Sequence, residues 1–82
     1  MTLEDAIQSL EGRRGNVRFR ALLQVCTTFF GEPRIHGSHH LFQMPWPRDP
    51  RINLQAEGRD AKPYQLRQVV QALKKLQEMG AE

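Results

Sequence analysis

The central segment of the chain reads Arg34-Ile35-His36-Gly37-Ser38-His39-His40-Leu41-Phe42-Gln43-Met44 and contains the features of a β-hairpin. Its Gly37-Ser38 pair can form a two-residue hairpin turn, because glycine supplies the positive φ that a type II′ turn requires at its first central position. The residues on either side then form two short antiparallel strands. Residues 51–56 alternate polar with apolar side chains, as a strand with one buried face does. The sequence therefore predicts a three-stranded antiparallel sheet.

The position of the hairpin turn determines which side chains share a face of this sheet. With the turn placed at this pair, His36 and His39 lie opposite each other on one face, and His40 lies on the other. Phe42 shares a face with His40, whereas Leu41 shares one with His39. We expect Phe42, the larger apolar residue, to point into the core. His39 is then expected on the open face of the sheet.

Three helices are predicted around the sheet. Residues 2–11 have apolar side chains at helical spacing, with Thr2 as the expected N-cap. A Gly-Arg-Arg-Gly break follows at residues 12–15, and Asn16 is the expected cap of a longer second helix. Pro63 is well placed as the first residue of the last helix. The apolar stripes are Leu3, Ala6, Ile7 and Leu10; Phe19, Leu22, Leu23, Cys26, Phe29 and Phe30; and Leu66, Val69, Val70, Leu73 and Leu76.

These elements predict an α+β fold with the order α-β-β-β-α and an extra short N-terminal helix. A small three-stranded antiparallel sheet is expected to be covered on one face by two helices. A chain of 82 residues is too short for two independent hydrophobic cores. Residues 1–15 are therefore expected to form a short helical extension, and residues 16–82 a single domain.

The charge of the chain favours an anionic partner. Twelve Lys and Arg against nine Asp and Glu give a net charge of +3, and residues 13–67 alone carry ten basic and four acidic residues. Nine of the basic residues of the chain are Arg and three are Lys, and the planar guanidinium group binds phosphate oxygens in pairs. RNA or DNA is the first expectation and a membrane surface the second.

Other features bear on the compartment and on the possible chemistry. The lone Cys26 cannot form an internal disulfide, and its place on an apolar helical stripe argues against a nucleophilic role. No apolar run approaches the roughly 20 residues that span a bilayer, and no signal-peptide core follows Met1. We expect a cytoplasmic protein without a membrane partner. Adjacent His39 and His40 point to opposite faces of a strand, so we expect no metal site.

The histidines and the tryptophan each allow a structural and a functional interpretation. His36, His39 and His40 lie within five residues of one another. They are either ordinary surface residues or proton-transfer groups, since imidazole can take both roles near neutral pH. Trp46 either stacks on a nucleic-acid base or caps the edge of the core beneath its proline-rich loop. The size of the indole favours the second interpretation.

Together, these residues resemble the HicA toxin family of bacterial type II toxin–antitoxin systems. The most specific element is Gly37-Ser38-His39-His40-Leu41-Phe42 after an amphipathic helix. Pro45, the strand at residues 51–54 and the helix that Lys62-Pro63 opens, with Leu66-Arg67, fit the same pattern. The resemblance covers about residues 17–76. The segment before Asn16 and the loop with Trp46 depart from the family pattern, so contacts with substrate and partner are expected to differ there.

The resemblance implies a double-stranded-RNA-binding-domain-like fold and a ribosome-independent endoribonuclease that cleaves mRNA. A HicB-like antitoxin is expected to cover the site and so to release the block on translation. The catalytic histidine of the family follows the Gly-Ser pair, which implies His39 as the catalytic residue and His40 as the alternative. RNA-binding residues are expected at Gly37, Ser38, Arg34, Arg51 and Lys62, with no metal and no small-molecule cofactor.

This chemistry agrees with the residues themselves. RNA carries its own nucleophile, the 2′-hydroxyl, so a histidine that moves a proton and cations that stabilise the transition state are sufficient for cleavage. His36, across the turn from His39, is a candidate for the second proton-transfer group. Two alternatives from other classes remain: a non-catalytic double-stranded-RNA-binding protein, and an adaptor whose open sheet face only docks a protein partner.

Overall fold

The computed structural model describes residues 1–13, 16–48 and 50–80, so the predicted break at residues 12–15 lies partly outside the described residues. The helices and strands are α1 (Leu3–Leu10), α2 (Phe19–Phe30), β1 (Arg34–His36), β2 (His39–Gln43), β3 (Arg51–Gln55) and α3 (Pro63–Glu78). The predicted α+β fold and its element order are confirmed. Among the described helices, none is long and apolar enough to cross a bilayer.

The strands form one antiparallel sheet in the order β1-β2-β3. Gly37 has a φ of +60°, the positive value that the hairpin turn requires and that glycine adopts without steric cost. The register pairs His36 with His39 and Ile35 with His40. The predicted turn and the predicted pairing of the histidines are confirmed.

One face of the sheet is buried beneath two helices. Phe42, Ile52 and Leu54 are 1, 6 and 0 % exposed, and α2 packs on β2 while α3 packs on β3. Burying a side chain of this size contributes about 1.5–3 kcal/mol, and the prediction that Phe42 belongs to the core is confirmed. Ile35 lies on the same face but is 62 % exposed, because β1 is an edge strand while the helices pack on β2 and β3.

The start of α2 differs from the prediction. Asn16 is not the N-cap: it has a φ of +63°, and the cap residue is Arg18, whose backbone is extended. The chain before the helix instead forms a short antiparallel bridge to residues 59–61, in which the Phe19 N–H donates to the Arg59 carbonyl oxygen over 2.8 Å. Because this bridge holds residue 18 extended, the helix begins only at Phe19.

Helix α1 belongs to the same hydrophobic core as the rest of the chain. Thr2 is its N-cap, as predicted, and the Thr2 hydroxyl accepts a hydrogen bond from the Asp5 N–H over 3.1 Å. The helix packs against α3, and Glu11, just past its end, forms an ion pair with Lys74 of that helix. The side chains that α1 adds to the core are Leu3, Ala6, Ile7 and Leu10.

A buried glutamine joins the start of α3 to the sheet. The helix begins at Pro63, as predicted, and Gln65 in its first turn is 0 % exposed. The Gln65 Oε1 accepts from the Lys62 N–H over 3.3 Å, and its Nε2 donates to the Gln55 carbonyl oxygen over 3.2 Å. Since both ends of the amide are hydrogen-bonded, the burial carries no unsatisfied polar group and fixes α3 against the end of β3.

Candidate functional site

His39 lies in β2 on the open face of the sheet and is hydrogen-bonded to Asn53 of β3. Its Nδ1 is 3.2 Å from the Asn53 Oδ1 and 3.1 Å from the Asn53 Nδ2. The strand register explains this contact, because Asn53 pairs with Leu41, two residues from His39, and is therefore its diagonal neighbour on the same face. A bond at Nδ1 leaves Nε2 as the ring nitrogen that can approach a substrate.

His36 of β1 is the direct cross-strand partner of His39. The Cβ atoms of directly paired residues lie about 4.5–5.5 Å apart, so the two side chains leave the open face from neighbouring positions. His36 is exposed, and His39 is half-buried. The site thus contains two histidines within reach of one small ligand.

A cleft of about 390 Å³ lies beside His36, and His39 is not among the residues that line it. Arg34 and Arg51 both contribute to it, together with His36. Arg34 pairs with Leu41 and Arg51 pairs with Gln43, so the two guanidinium groups come from the outer strands, on either side of β2. The remaining lining residues are Glu32, Leu41, Phe42 and Gln43.

His40, the alternative catalytic residue, lies on the helix-covered side of the sheet. Its ring packs against Phe19 of α2, with the ring centroids 5.5 Å apart and the planes at 60°. The His40 Nδ1 is buried and has no hydrogen-bond partner within the described part of the chain. His40 is half-buried and separated from His39 by the thickness of the sheet, so the structure does not bring the two together in one site.

The other predicted RNA-binding residues lie at the hairpin end of the sheet. Gly37 and Ser38 are exposed in the turn itself, and the Ser38 carbonyl oxygen accepts a hydrogen bond from the Ala56 N–H over 2.9 Å. Lys62 lies at the start of α3, and its Nζ is 3.9 Å from a Glu57 carboxylate oxygen. Lys62 is therefore partly neutralised, and it lies apart from the cleft that contains Arg34 and Arg51.

Trp46 occupies the structural position that its size favours. It is half-buried and packs against the core, and its ring meets Phe30 edge to face, with centroids 6.4 Å apart. The Lys75 ammonium group lies 5.0 Å from the Trp46 ring centroid, within the range of a cation–π contact. These contacts hold the loop after β2 against α2 and α3.

Cys26 is a core residue. Its side chain is 0 % exposed, and desolvation by burial raises the pKa of its thiol to about 12. The thiolate that a nucleophilic mechanism needs is therefore absent at neutral pH. The described residues also contain no group of three or more His, Cys, Asp or Glu side chains that could hold a metal ion.

Asn53 is a site residue that the sequence pattern did not identify. The alternation of residues 51–55 already places Asn53 among the polar positions of its strand. Sequence alone does not give the register between β2 and β3, because the seven residues that connect them contain no two-residue turn. The amide that meets His39 therefore emerges only when the two strands are paired.

Fold and site together define a small α+β domain with two histidines and two arginines on an open sheet face. Comparisons of the chain with models of protein families, with curated proteins and with solved structures find no match. The resemblance to HicA toxins and the double-stranded-RNA-binding-domain-like designation therefore remain predictions from the residues quoted above.

Proposed function

We propose that this protein is a cytoplasmic endoribonuclease that cleaves mRNA and acts as the toxin of a type II toxin–antitoxin system. The observation that carries the proposal is the geometry of His39, which lies on the open sheet face, opposite His36 and hydrogen-bonded at Nδ1 to Asn53. The resemblance of Gly37-Ser38-His39 to the HicA family supports the assignment as a toxin.

The proposed reaction uses the 2′-hydroxyl of the RNA as its nucleophile. The His39 Nε2 accepts the hydroxyl proton while the 2′-oxygen forms a bond to phosphorus. The bond between phosphorus and the 5′-oxygen breaks, and the leaving oxygen takes a proton from His36 in its imidazolium form. The products are a 2′,3′-cyclic phosphate and a 5′-hydroxyl, and the atoms balance without a metal ion or a redox cofactor. Proton transfer of this kind contributes about 10²- to 10⁴-fold to the rate.

Arg34 and Arg51 are proposed to bind the RNA backbone. Both line the cleft to which His36 contributes, and a guanidinium group near the cleaved phosphate stabilises the additional negative charge that this phosphate acquires in the transition state. Gly37 and Ser38 in the exposed turn let the RNA approach His39 closely, since neither residue has a bulky side chain. Lys62 contributes a more distant phosphate contact at the hairpin end of the sheet.

The test is cleavage of one defined mRNA transcript by the purified protein in the presence of EDTA. His39→Ala should lower the cleavage rate by about 10²-fold or more and abolish growth inhibition on expression. The melting temperature should stay nearly unchanged, because the His39 side chain lies on the open face. His40→Ala is the matched control on the neighbouring residue. It should retain cleavage and lower the melting temperature, because it removes the ring that packs on Phe19.

Three results would contradict the proposal. Full cleavage by His39→Ala together with loss of cleavage by a folded His40→Ala would mean that His40, and not His39, is the catalytic histidine. Wild-type protein that binds RNA without cutting it would favour a non-catalytic RNA-binding protein, a role that the arginines on the open face would also serve. Failure to bind RNA at low salt would favour an adaptor that docks a protein partner.

A further inference from the structure

We propose that Asn53 is a positioning residue that holds His39 in the tautomer protonated at Nδ1 and so presents the Nε2 lone pair to the substrate. The catalytic consequence rests on the proposed function, whereas the hydrogen bond and the tautomer do not.

The geometry offers two hydrogen bonds, and only one of them suits a base. The Nδ1 of His39 is 3.2 Å from the Asn53 Oδ1 and 3.1 Å from the Asn53 Nδ2. If Oδ1 faces the ring, it accepts from an Nδ1–H group and Nε2 carries the lone pair. If Nδ2 faces the ring, it donates to Nδ1 and the proton sits on Nε2. In the second case Nε2 cannot accept the proton of the 2′-hydroxyl.

The charged form of the ring favours the first arrangement. A base that accepts a proton at Nε2 becomes an imidazolium, which has an N–H group at both nitrogens. With the Asn53 Oδ1 at Nδ1, the hydrogen bond persists in the neutral and in the charged form of His39. With Nδ2 there, two N–H groups would face each other after proton transfer. Only the first arrangement supports the ring through the whole reaction.

The scaffold fixes Asn53 firmly enough for this role. Asn53 is the central residue of β3 and lies between Ile52 and Leu54, which are 6 and 0 % exposed. Because both neighbours are anchored in the core, the backbone position of Asn53 is set by packing rather than by a loop. Asn53 thus holds His39 from a rigid strand, in the way that outer partners orient a reactive imidazole.

Nuclear magnetic resonance reads the tautomer directly, on RNA-free protein labelled with ¹⁵N at histidine. Two-bond ¹H–¹⁵N correlations separate the protonated from the unprotonated ring nitrogen of neutral His39. The wild type should carry the proton at Nδ1. Asn53→Asp retains acceptor oxygens and has no N–H donor, so it should keep that tautomer. Asn53→Leu retains the size and neither polar atom, so His39 should shift towards protonation at Nε2.

Gln55→Leu is the matched control. Gln55 lies in the same strand and directly opposite His39, and its change to leucine removes an amide from the neighbourhood while leaving Asn53 in place. The His39 spectrum should remain that of the wild type. If the His39 spectrum changed as much in Gln55→Leu as in Asn53→Leu, the loss of any amide on the open face would disturb the ring. That result would overturn the inference.

Kinetics of cleavage of the same mRNA transcript then separate positioning from binding. Asn53→Leu should lower kcat about ten-fold or more and change KM little. This loss is a part of the rate enhancement of about 10²- to 10⁴-fold that acid–base catalysis supplies. Asn53→Asp should recover most of kcat and raise KM, because its carboxylate repels phosphate.

A wild-type spectrum with the proton at Nε2, or an unchanged spectrum in Asn53→Leu, would overturn the inference whatever the activity. A wild type that cuts no RNA would instead contradict the proposed function, while the spectra still decide the role of Asn53.

Discussion

Two adjacent histidines, His39 and His40, occupy opposite environments because side chains alternate across a strand. His40 lies against Phe19 with a buried Nδ1 that has no hydrogen-bond partner in the described part of the chain. Such an unsatisfied polar atom costs about 1–3 kcal/mol, so His40 is held by packing of its ring rather than by polar contacts. His39 has the converse surroundings, with a polar partner and an accessible ring edge.

The direct pairing of His36 with His39 gives a prediction about the leaving group. If His36 protonates the 5′-oxygen, His36→Ala should slow the cleavage of ordinary RNA by about 10²-fold or more. A substrate with sulphur in place of that 5′-oxygen should restore the rate, because a thiolate leaves without a proton. The measurement is single-turnover cleavage of a matched pair of short RNAs that contain the cleavage site.

His39→Ala provides the internal control for this experiment. The cleavage rate of His39→Ala should remain low with the sulphur-containing RNA, because the 2′-hydroxyl still needs a base. Equal defects of His36→Ala on both RNAs would mean that His36 does not act as the acid.

At the scale of the elements, the sheet sets the spacing of the charged groups on the open face. Arg34 opens β1 and Arg51 opens β3, and they flank β2 at the end away from the hairpin turn. Their placement on strands rather than on long loops fixes their distance from His39. Arg34 is two residues and Arg51 four residues along the sheet from His39, so the RNA is expected to run along β2, with Arg34 nearer to the cleaved phosphate and Arg51 on a phosphate further along.

Neutralising both arginines tests this arrangement. Arg34→Gln with Arg51→Gln should weaken RNA binding and make the negative slope of log K against log salt shallower by about 1.4 units, since each contact to single-stranded RNA contributes about 0.7. The melting temperature should change little, because both residues are exposed. Fluorescence anisotropy of a labelled RNA between low and moderate salt supplies the slope.

A control with the same change of net charge uses two arginines of the helical side. Arg20 of α2 and Arg67 of α3 are exposed, and neither belongs to the cleft. Their double glutamine variant should keep the wild-type slope. If the slope of the control variant became as shallow as that of the Arg34 and Arg51 variant, RNA binding would depend only on the overall charge of the protein.

In the molecule as a whole, all three helices lie on one side of the sheet. α1 packs on α3, and α2 and α3 pack on the strands, so the core lies between the helices and the buried face. The opposite face carries His36, His39 and the cleft with its arginines. An always-active ribonuclease would damage its own cell, and a basic open sheet is a suitable dock for an acidic protein.

We therefore expect a dedicated antitoxin that covers this face. The complex with the protein encoded by the neighbouring gene should not cleave RNA, and residues 37–42 should gain protection from hydrogen exchange on binding. His39→Ala should still bind this partner, because the variant retains its fold. Hydrogen-exchange mass spectrometry of the free protein and of the complex makes the comparison.

The same spectra contain the control, since α1 lies outside the proposed interface and its exchange should not change. Protection confined to α3, with residues 37–42 still exchanging freely, would mean that the partner acts from a distance. Simultaneous binding of RNA and partner to one molecule would contradict occlusion in the same way.

Features that depend on residues close together in the chain were predictable from the sequence. The order of the elements follows from hydrophobic periodicity, and the turn at Gly37 follows from the positive φ that glycine adopts. Within a tight hairpin the register is fixed, so the pairing of His36 with His39 was also predictable. The division between Phe42 inside and His39 outside followed from the size of the apolar side chain.

Features that join distant parts of the chain were not predictable and emerge only in the folded protein. Arg18 forms its bridge with Asp60, 42 positions away, and this contact rather than Asn16 sets the start of α2. The hydrogen bond between Asn53 and His39 spans 14 positions and depends on the register of β3 against β2. No tight turn fixes that register, because seven residues rather than two connect β2 to β3. Packing of Ile52 and Leu54 in the common core selects it, and core packing exists only once the whole chain has folded.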